Sequence, residues 1–83
     1  MAIKDEIHMK SVPDLTPIES SMFSAQAYDP NSRVLTVQFK NGAVHQYDDV
    51  PADKHFAFVG AQSPGRFFND KIKSNHLSRK VGA

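Results

Sequence analysis

The Asn41-Gly42 pair constrains this chain more than any other feature, because it joins two stretches of alternating apolar residues. Residues 33–39 are rich in Val, Thr and Phe, which predicts a strand with one apolar face. Asn-Gly between two such stretches predicts a β-hairpin. A three-residue loop over residues 40–42, with its last residue left-handed, pairs Phe39 with Ala43. One face of the hairpin then carries Leu35, Val37, Phe39, Ala43, His45 and Tyr47.

A two-residue loop is the alternative, and it shifts the second strand of the hairpin by one residue. It pairs Phe39 with Val44 and places Gln46 and Asp48 on the apolar face. A shift of one residue turns every side chain of a strand to the other face, so the buried face decides the register. We therefore predict the three-residue loop.

A further strand is predicted over residues 21–28, before the hairpin. Phe23, Ala25 and Ala27 alternate there with more polar residues, which predicts one buried face. Residues 29–32 follow with Asp first and Pro second, as in a type I turn. The three strands together predict an antiparallel meander.

A first short helix is predicted after the hairpin. Pro51 suits its first position and Gly60 suits its end. Phe56 and Val59 are three residues apart, so we expect both to face the sheet.

A second short helix is predicted near residues 64–73. Ser63 is a favourable N-cap and Pro64 a favourable first residue, while Phe68 and Ile72 form the buried stripe. The predicted fold class is α+β, with a small antiparallel three-stranded meander followed by two short helices packed on one face.

The length of 83 residues corresponds to one small domain. Residues 1–19 contain two prolines and no helical or strand period, so we expect an extended or disordered extension. Residues 20–73 form the expected domain. Residues 74–83 are expected to be a basic tail, with at most a weak continuation of the second helix.

Charge is unevenly distributed along the chain. Residues 1–53 carry four Lys or Arg against eight Asp or Glu, whereas residues 54–83 carry six against one. This asymmetry predicts a C-terminal part that faces a polyanion, or simply a solvated basic surface.

Composition argues against several function classes. The chain has no Cys, and its four His lack the spacing of a metal motif, so we expect no metal site and no cofactor. A strained nucleophile turn of the G-x-S-x-G type is also absent, and we predict a protein without catalytic activity. No apolar stretch reaches the length of a membrane helix and no secretory signal is visible, so we expect a cytoplasmic protein without membrane partners.

The second predicted helix is the segment most informative about function. A helix N-terminus offers unpaired N–H groups and partial positive charge that favour phosphate, and Ser63 and Gly65 lie there. Arg66 can hold a phosphate with two hydrogen bonds or stack on a base. Lys71 and Lys73 add positive potential.

Aromatic and polar side chains accompany this basic segment. Phe67 and Phe68 point about 100° apart on a helix, so we expect Phe68 in the core and Phe67 available to stack on a base. His45 and Tyr47 place polar tips near the rim of the sheet, and Asn69 bonds either a loop carbonyl or a ligand. All of these residues also fit a purely structural role, as parts of a capped amphipathic helix and a packed sheet face.

One pattern of apolar and turn residues runs through residues 20–72. It consists of Tyr28-Asp29-Pro30, Leu35, Val37, Phe39, Asn41-Gly42, His45, Tyr47, Val50-Pro51, Phe56, Ser63, Gly65, Phe67-Phe68-Asn69 and Ile72. This pattern resembles the KTSC domain, a short module that occurs at the C-terminus of some lysyl-tRNA synthetases and as a stand-alone bacterial or phage protein. The family centre is usually Tyr-x-Tyr, and His45 here replaces the first Tyr.

The resemblance implies a small nucleic-acid-binding module in a bacterium or a phage-infected host. Positions that match the family and would carry this role are Tyr47, Ser63, Gly65, Arg66, Phe68 and Asn69. Two alternatives stay open: a pocket that sequesters a small nucleotide or nucleotide-derived signal, and a protein-interaction module. A three-stranded sheet also leaves edges and one face for a homo-oligomer.

Overall fold

The hairpin around Asn41-Gly42 forms with the predicted register in the computed structural model, which describes residues 13–82. Strand β3 (Val34–Phe39) pairs with β4 (Val44–Tyr47). The Phe39 N–H donates to the Ala43 carbonyl at 2.9 Å, and Gly42 has φ 96°, so the loop has three residues. Val37 lies opposite His45, and Leu35 opposite Tyr47. The three-residue loop is confirmed.

The sheet has five strands rather than the predicted three. Strand β1 (Thr16–Pro17) precedes β2 (Phe23–Asp29), and β5 (Ser78–Gly82) follows the helices. The strands lie in the order β1-β2-β3-β4-β5, and every neighbouring pair is antiparallel. The α+β class and the antiparallel meander are therefore correct, and the number of strands was underestimated.

The two added strands come from segments expected to lie outside the domain. Thr16–Pro17 belongs to the predicted extension, of which residues 1–12 lie outside the described residues. Ser78–Gly82 belongs to the predicted tail and pairs with β4 instead of prolonging a helix. Strand pairing uses backbone groups, so β5 forms on the free edge of β4 without an alternating apolar pattern of its own.

A β-bulge in β2 changes the buried face predicted for that strand. Phe23 pairs with Phe39, but Ala25 pairs with Gln38, so the chain gains one residue between them. Beyond the bulge Gln26 and Tyr28 lie on the helix-covered face with Phe23. The prediction that Phe23, Ala25 and Ala27 share a face is therefore wrong, because a bulge shifts the alternation by one residue.

Helix α1 (Ala52–Gly60) has the predicted length but a different buried face. Phe58 is fully buried, and Val59 packs partly against the core. Phe56 is 78% exposed, so the prediction that it faces the sheet is wrong. The side chains that turn inward on this helix are Lys54, His55, Phe58 and Val59.

Helix α2 (Pro64–Phe67) continues without a break into one turn of π-helix (Phe68–Ile72). Ser63 caps it as predicted, and the Lys73 N–H reaches back to the Phe68 carbonyl at 2.9 Å, the bond that widens the turn. Phe68 and Ile72 are both buried, as predicted. The core between helices and sheet consists of Phe23, Leu35, Val37, Tyr47, Val50, Phe58, Phe68 and Ile72.

Candidate functional site

Four of the predicted site residues meet in one open cleft on the surface of α2 and the π-turn. The cleft has a volume of about 290 Å³. Its lining is Gln62, Ser63, Arg66, Phe67, Asp70 and Lys71. Arg66 and Lys71 are exposed, whereas Phe67 is half-buried. The cleft therefore combines two cations, a hydroxyl and one aromatic surface, with the Asp70 carboxylate as an opposing charge.

The local sequence explains why these side chains come together. Ser63 Oγ accepts a hydrogen bond from the Arg66 N–H at 3.4 Å, which fixes the helix start beside the cleft. Phe67 lies 6.5 Å from Phe58 between ring centroids, so one part of its ring rests on the core. Asp70 follows Arg66 by four residues, which places both on the same side of the helix.

The helix start itself offers fewer anion-binding groups than the sequence predicted. Pro64 has no N–H, and the N–H groups of Arg66 and Phe67 bond to the Ser63 side chain and carbonyl. The Gly65 N–H is left as the unpaired donor of this turn among the described residues. Phosphate binding in this cleft would therefore depend on side chains rather than on backbone amides.

Gly65 also has a packing role. A Cβ added at Gly65 would lie 3.4 Å from Cβ of Met22, so the side chain of Met22 occupies the space in front of it. Met22 in turn packs against the core. The position thus brings the helix close to the start of β2.

Two predicted site residues lie in the core and offer no ring face to a ligand. Phe68 is 2% exposed and makes edge contacts with Phe23 and Tyr47, with centroids 5.0 and 5.1 Å away. Tyr47 is 4% exposed, and burial raises the pKa of its phenol. Both residues hold the helix against the sheet.

The other predicted site residues lie outside the cleft. His45 is half-buried on β4, with its ring edge-on to Phe39 at 5.4 Å. Asn69 and Lys73 are exposed on the π-turn and just after it, and neither lines the cleft. The structure thus separates the ten predicted positions into a cleft, a core and a periphery.

A polar cluster around His55 was missed by the sequence analysis. The His55 ring stacks on Tyr28, and its Nε2 lies 2.9 Å from Oε1 of Gln26. The Tyr28 hydroxyl donates to the Val50 carbonyl at 2.6 Å. Burial lowers the pKa of His55. His55 also lines a second cleft of about 480 Å³ between β1 and the helices.

A second missed cluster connects α1 to the segment before β5. Lys54 Nζ lies 2.9 Å from Nε2 of His76 and donates to the Lys71 carbonyl at 3.1 Å. An ammonium only donates, so Nε2 accepts and Nδ1 of His76 donates to the Asp48 carbonyl at 3.0 Å. No sequence signal marks this network, because its members are far apart in the chain.

Residues 13–82 contain neither a metal-binding cluster nor a membrane-spanning helix. Within this range, no group of three or more His, Asp or Glu residues is arranged to hold a metal ion. Nor does any helix of these residues have the length and apolar character needed to cross a bilayer.

The sequence is similar to short proteins and to part of a larger enzyme. It is 37% identical over 59 residues to a protein of Tsukamurella paurometabola, covering 71% of this chain and 88% of the relative. An uncharacterised protein of Stutzerimonas stutzeri shows the same identity over the same length, which is 83% of that relative. A lysine–tRNA ligase of a Nostoc species is 32% identical over 76 residues, but they make up only 13% of that enzyme.

The fold and the capped helix define a small α+β domain with a five-stranded antiparallel meander. The sequence model of the KTSC domain matches residues 19–76, and the chain belongs to this family. The crystal structure of a KTSC domain protein from Yersinia pestis is similar, with a TM-score of 0.77 and 41% identity. The match covers 83% of this chain and 97% of that one.

Proposed function

We propose that this KTSC domain is a non-catalytic binding module for RNA or another phosphate-bearing ligand. The observation that carries the proposal is the cleft whose lining brings Arg66 and Lys71 together with the half-buried ring of Phe67. A guanidinium can donate two hydrogen bonds to the oxygens of one phosphate, and an aromatic ring beside it can stack on a base. Proteins that bind single-stranded nucleic acids combine positively charged and aromatic side chains in this way.

The open shape of the cleft favours a segment of a polymer over an enclosed nucleotide. Pockets for small ligands bury most of the ligand's surface, whereas this cleft of about 290 Å³ is open to solvent. The alternative of a nucleotide-sequestering pocket would need walls from a second chain. The excess of basic residues after position 53 adds long-range attraction for a polyanion.

Similarity to the lysine–tRNA ligase supports RNA as the ligand. That enzyme's name gives tRNA as one of its substrates, and the related segment is 32% identical to this chain. Because the match spans 13% of the enzyme, ligase activity itself is no part of the proposal. The cytoplasm, where tRNA occurs, is the setting in which we propose that this domain acts.

The proposal is tested by titrating a fluorescently labelled single-stranded oligoribonucleotide with the purified protein. We expect Arg66→Ala to weaken binding by about tenfold or more, because the variant loses a charge-assisted hydrogen bond to a phosphate. We also expect affinity to fall steeply with salt, because bound phosphates release counterions.

Arg33→Asn is the matched control, because it removes one positive charge far from the cleft in sequence and outside its lining. Arg33 has φ 61°, a left-handed conformation that Asn accepts. Its ion pair with Asp49 is exposed, so the fold should tolerate the change. Equal affinities for both variants and the wild type would overturn the proposed site.

A further inference from the structure

The two edges of the sheet differ in their ability to accept another strand. Strand β1 has two residues and includes Pro17, which cannot donate to a strand ladder. Strand β5 has five residues, contains no Pro and is exposed over Ser78, Arg79 and Lys80. No other described strand pairs with its outer side, since β5 ends the strand order.

The hydrogen bonds of the neighbouring hairpin establish which groups of β4 point toward β5. The Phe39 N–H donates to the Ala43 carbonyl, just before β4 begins. Because the bonding direction alternates along a strand, the backbone groups of His45 and Tyr47 also face β3. The residues between them, including Gln46, bond toward β5. The Asp48 N–H donates to the Leu77 carbonyl at 2.9 Å, which agrees with this alternation.

The same alternation establishes the outward groups of β5. Gln46 lies opposite Arg79, so the backbone of Arg79 faces β4. The N–H and C=O groups of Ser78 and Lys80 therefore point away from the sheet. These groups form a short row of donors and acceptors at an exposed edge, the arrangement to which extended peptides add a strand.

The positive charge of this edge favours a partner strand that carries negative charge. Lys80 is exposed and has no ionic partner among the described residues, while Arg79 Nη1 pairs with Asp48 at 2.6 Å. Two copies of the chain could also pair their β5 strands antiparallel. If the two-fold axis passed at Arg79 or Lys80, that cation would lie directly opposite the same residue of the second copy. Like charges directly opposite one another destabilise a strand pair, whereas opposite charges stabilise it.

We propose that the outer edge of β5 binds an extended acidic segment of a partner protein by strand addition. The backbone of Ser78 and Lys80 bonds the incoming strand, and a carboxylate opposite Lys80 pairs with its ammonium. This surface lies beyond residue 76, where the match to the family model ends. It is separate from the cleft around Arg66, so it does not depend on the RNA proposal.

The test uses a peptide of about seven residues with blocked termini, in which Val or Thr alternates with Glu. On the isotope-labelled full chain, we expect the peptide to slow amide hydrogen exchange at Ser78 and Lys80, whose N–H groups point outward. A peptide with Lys in place of Glu is expected to give no protection. Binding of the acidic peptide should weaken as salt rises.

Two variants separate the backbone and charge contributions. Lys80→Pro removes an outward N–H that no strand within residues 13–82 uses, so the sheet should form. Peptide affinity should then fall by about tenfold or more. Lys80→Ala keeps that N–H and should lose only a few-fold. An equal loss of peptide affinity in both variants would overturn strand addition. If Lys80→Pro fails to fold, the amide exchange of the wild-type chain still tests the proposal.

Three other outcomes would contradict the proposal. One is the absence of amide protection at about 1 mM acidic peptide, a concentration that detects weak binding. A second is a concentration-dependent dimer that Lys80→Pro abolishes, which would make a second copy the occupant. A third is protection of these amides by an oligoribonucleotide but not by the peptide, which would assign the edge to nucleic acid.

Discussion

The imidazole of His55 lies flat on the phenol ring of Tyr28, with ring centroids 4.3 Å apart and planes 9° from parallel. This stack holds helix α1 against strand β2. The amide oxygen of Gln26 lies 2.9 Å from Nε2 of His55, and since an amide oxygen only accepts, Nε2 carries a proton. Burial of the ring disfavours the charged imidazolium and lowers the pKa of His55.

Stability is predicted to fall in mild acid because burial lowers the pKa of His55 below its ordinary value of 6.5. Above 6.5 the ring is neutral in the folded and unfolded chains, so its contribution is fully present. Below 6.5 the unfolded chain binds the proton first, and stability is lost as the pH approaches the lower pKa of the folded state. Urea midpoints at about pH 7.5 and 5.5 measure this loss.

His55→Phe is the control for the pH prediction, because it keeps an aromatic ring beside Tyr28 and removes the titrating group. Every other titratable group is the same in both proteins. We expect the urea midpoint of the variant to fall less between the two pH values. An identical decrease would show that His55 does not contribute.

The two phenylalanines at positions 56 and 68 are predicted to differ sharply in their contribution to stability. Phe68→Ala removes a ring in contact with Phe23, Phe39, Tyr47 and Phe58, and should cost about 3–5 kcal/mol. Phe56 is 78% exposed, so Phe56→Ala should change the free energy of unfolding by less than about 0.5 kcal/mol. Urea denaturation of both variants measures the difference, and equal effects would contradict the described core.

Lys54 is predicted to stabilise the packing of α1 against the segment before β5. Lys54→Met keeps most of the aliphatic stem but removes the ammonium that bonds His76 and the Lys71 carbonyl. We expect a loss of about 1 kcal/mol, the range of a net hydrogen-bond contribution. Lys73→Met is the control at an exposed position, and a loss as large as that of Lys54→Met would contradict the network.

Asp70 is predicted to weaken phosphate binding in the cleft, because its carboxylate lines the cleft with Arg66 and Lys71. Asp70→Asn keeps the shape of the side chain and removes its negative charge. Affinity for a single-stranded oligoribonucleotide should therefore rise several-fold at low salt, and the gain should shrink as salt screens the charges. Unchanged affinity in a fluorescence titration would place the bound phosphate elsewhere.

The parts of the fold that the sequence predicts correctly are those determined by local geometry. Asn41-Gly42 fixes the loop because Gly42 adopts a positive φ, and the apolar alternation then fixes the register of β3 and β4. Ser63 followed by Pro64 likewise marks a helix start that the structure contains. Each of these signals needs only a few neighbouring residues.

The parts that the sequence does not predict depend on contacts between distant residues. No local pattern reveals the bulge between Phe23 and Ala25, which changes the buried face of β2. Strand β5 forms because β4 offers a free edge, not because Ser78–Gly82 alternates. Lys54, His76 and His55 also act through partners that only the fold brings near.

The candidate site is predictable in part for the same reason. The helix cap and the positions of Arg66 and Lys71 follow from local spacing, and the structure places both in one cleft. The closeness of Met22 to Gly65 depends on how the helix packs on the sheet. Sequence reasoning therefore found where the basic side chains lie, but not which N–H groups of the helix start are already bonded to Ser63.

The most direct test of the proposed function is a heteronuclear NMR titration of the isotope-labelled protein with a single-stranded oligoribonucleotide. The account predicts that the signals of the residues lining the cleft shift most, and that raising the salt concentration reverses the shifts. These residues are Gln62, Ser63, Arg66, Phe67, Asp70 and Lys71. Signals of the buried Phe68 and Ile72 should move less than that of Arg66. An absence of shifts at low salt, or shifts confined to other surfaces, would contradict it.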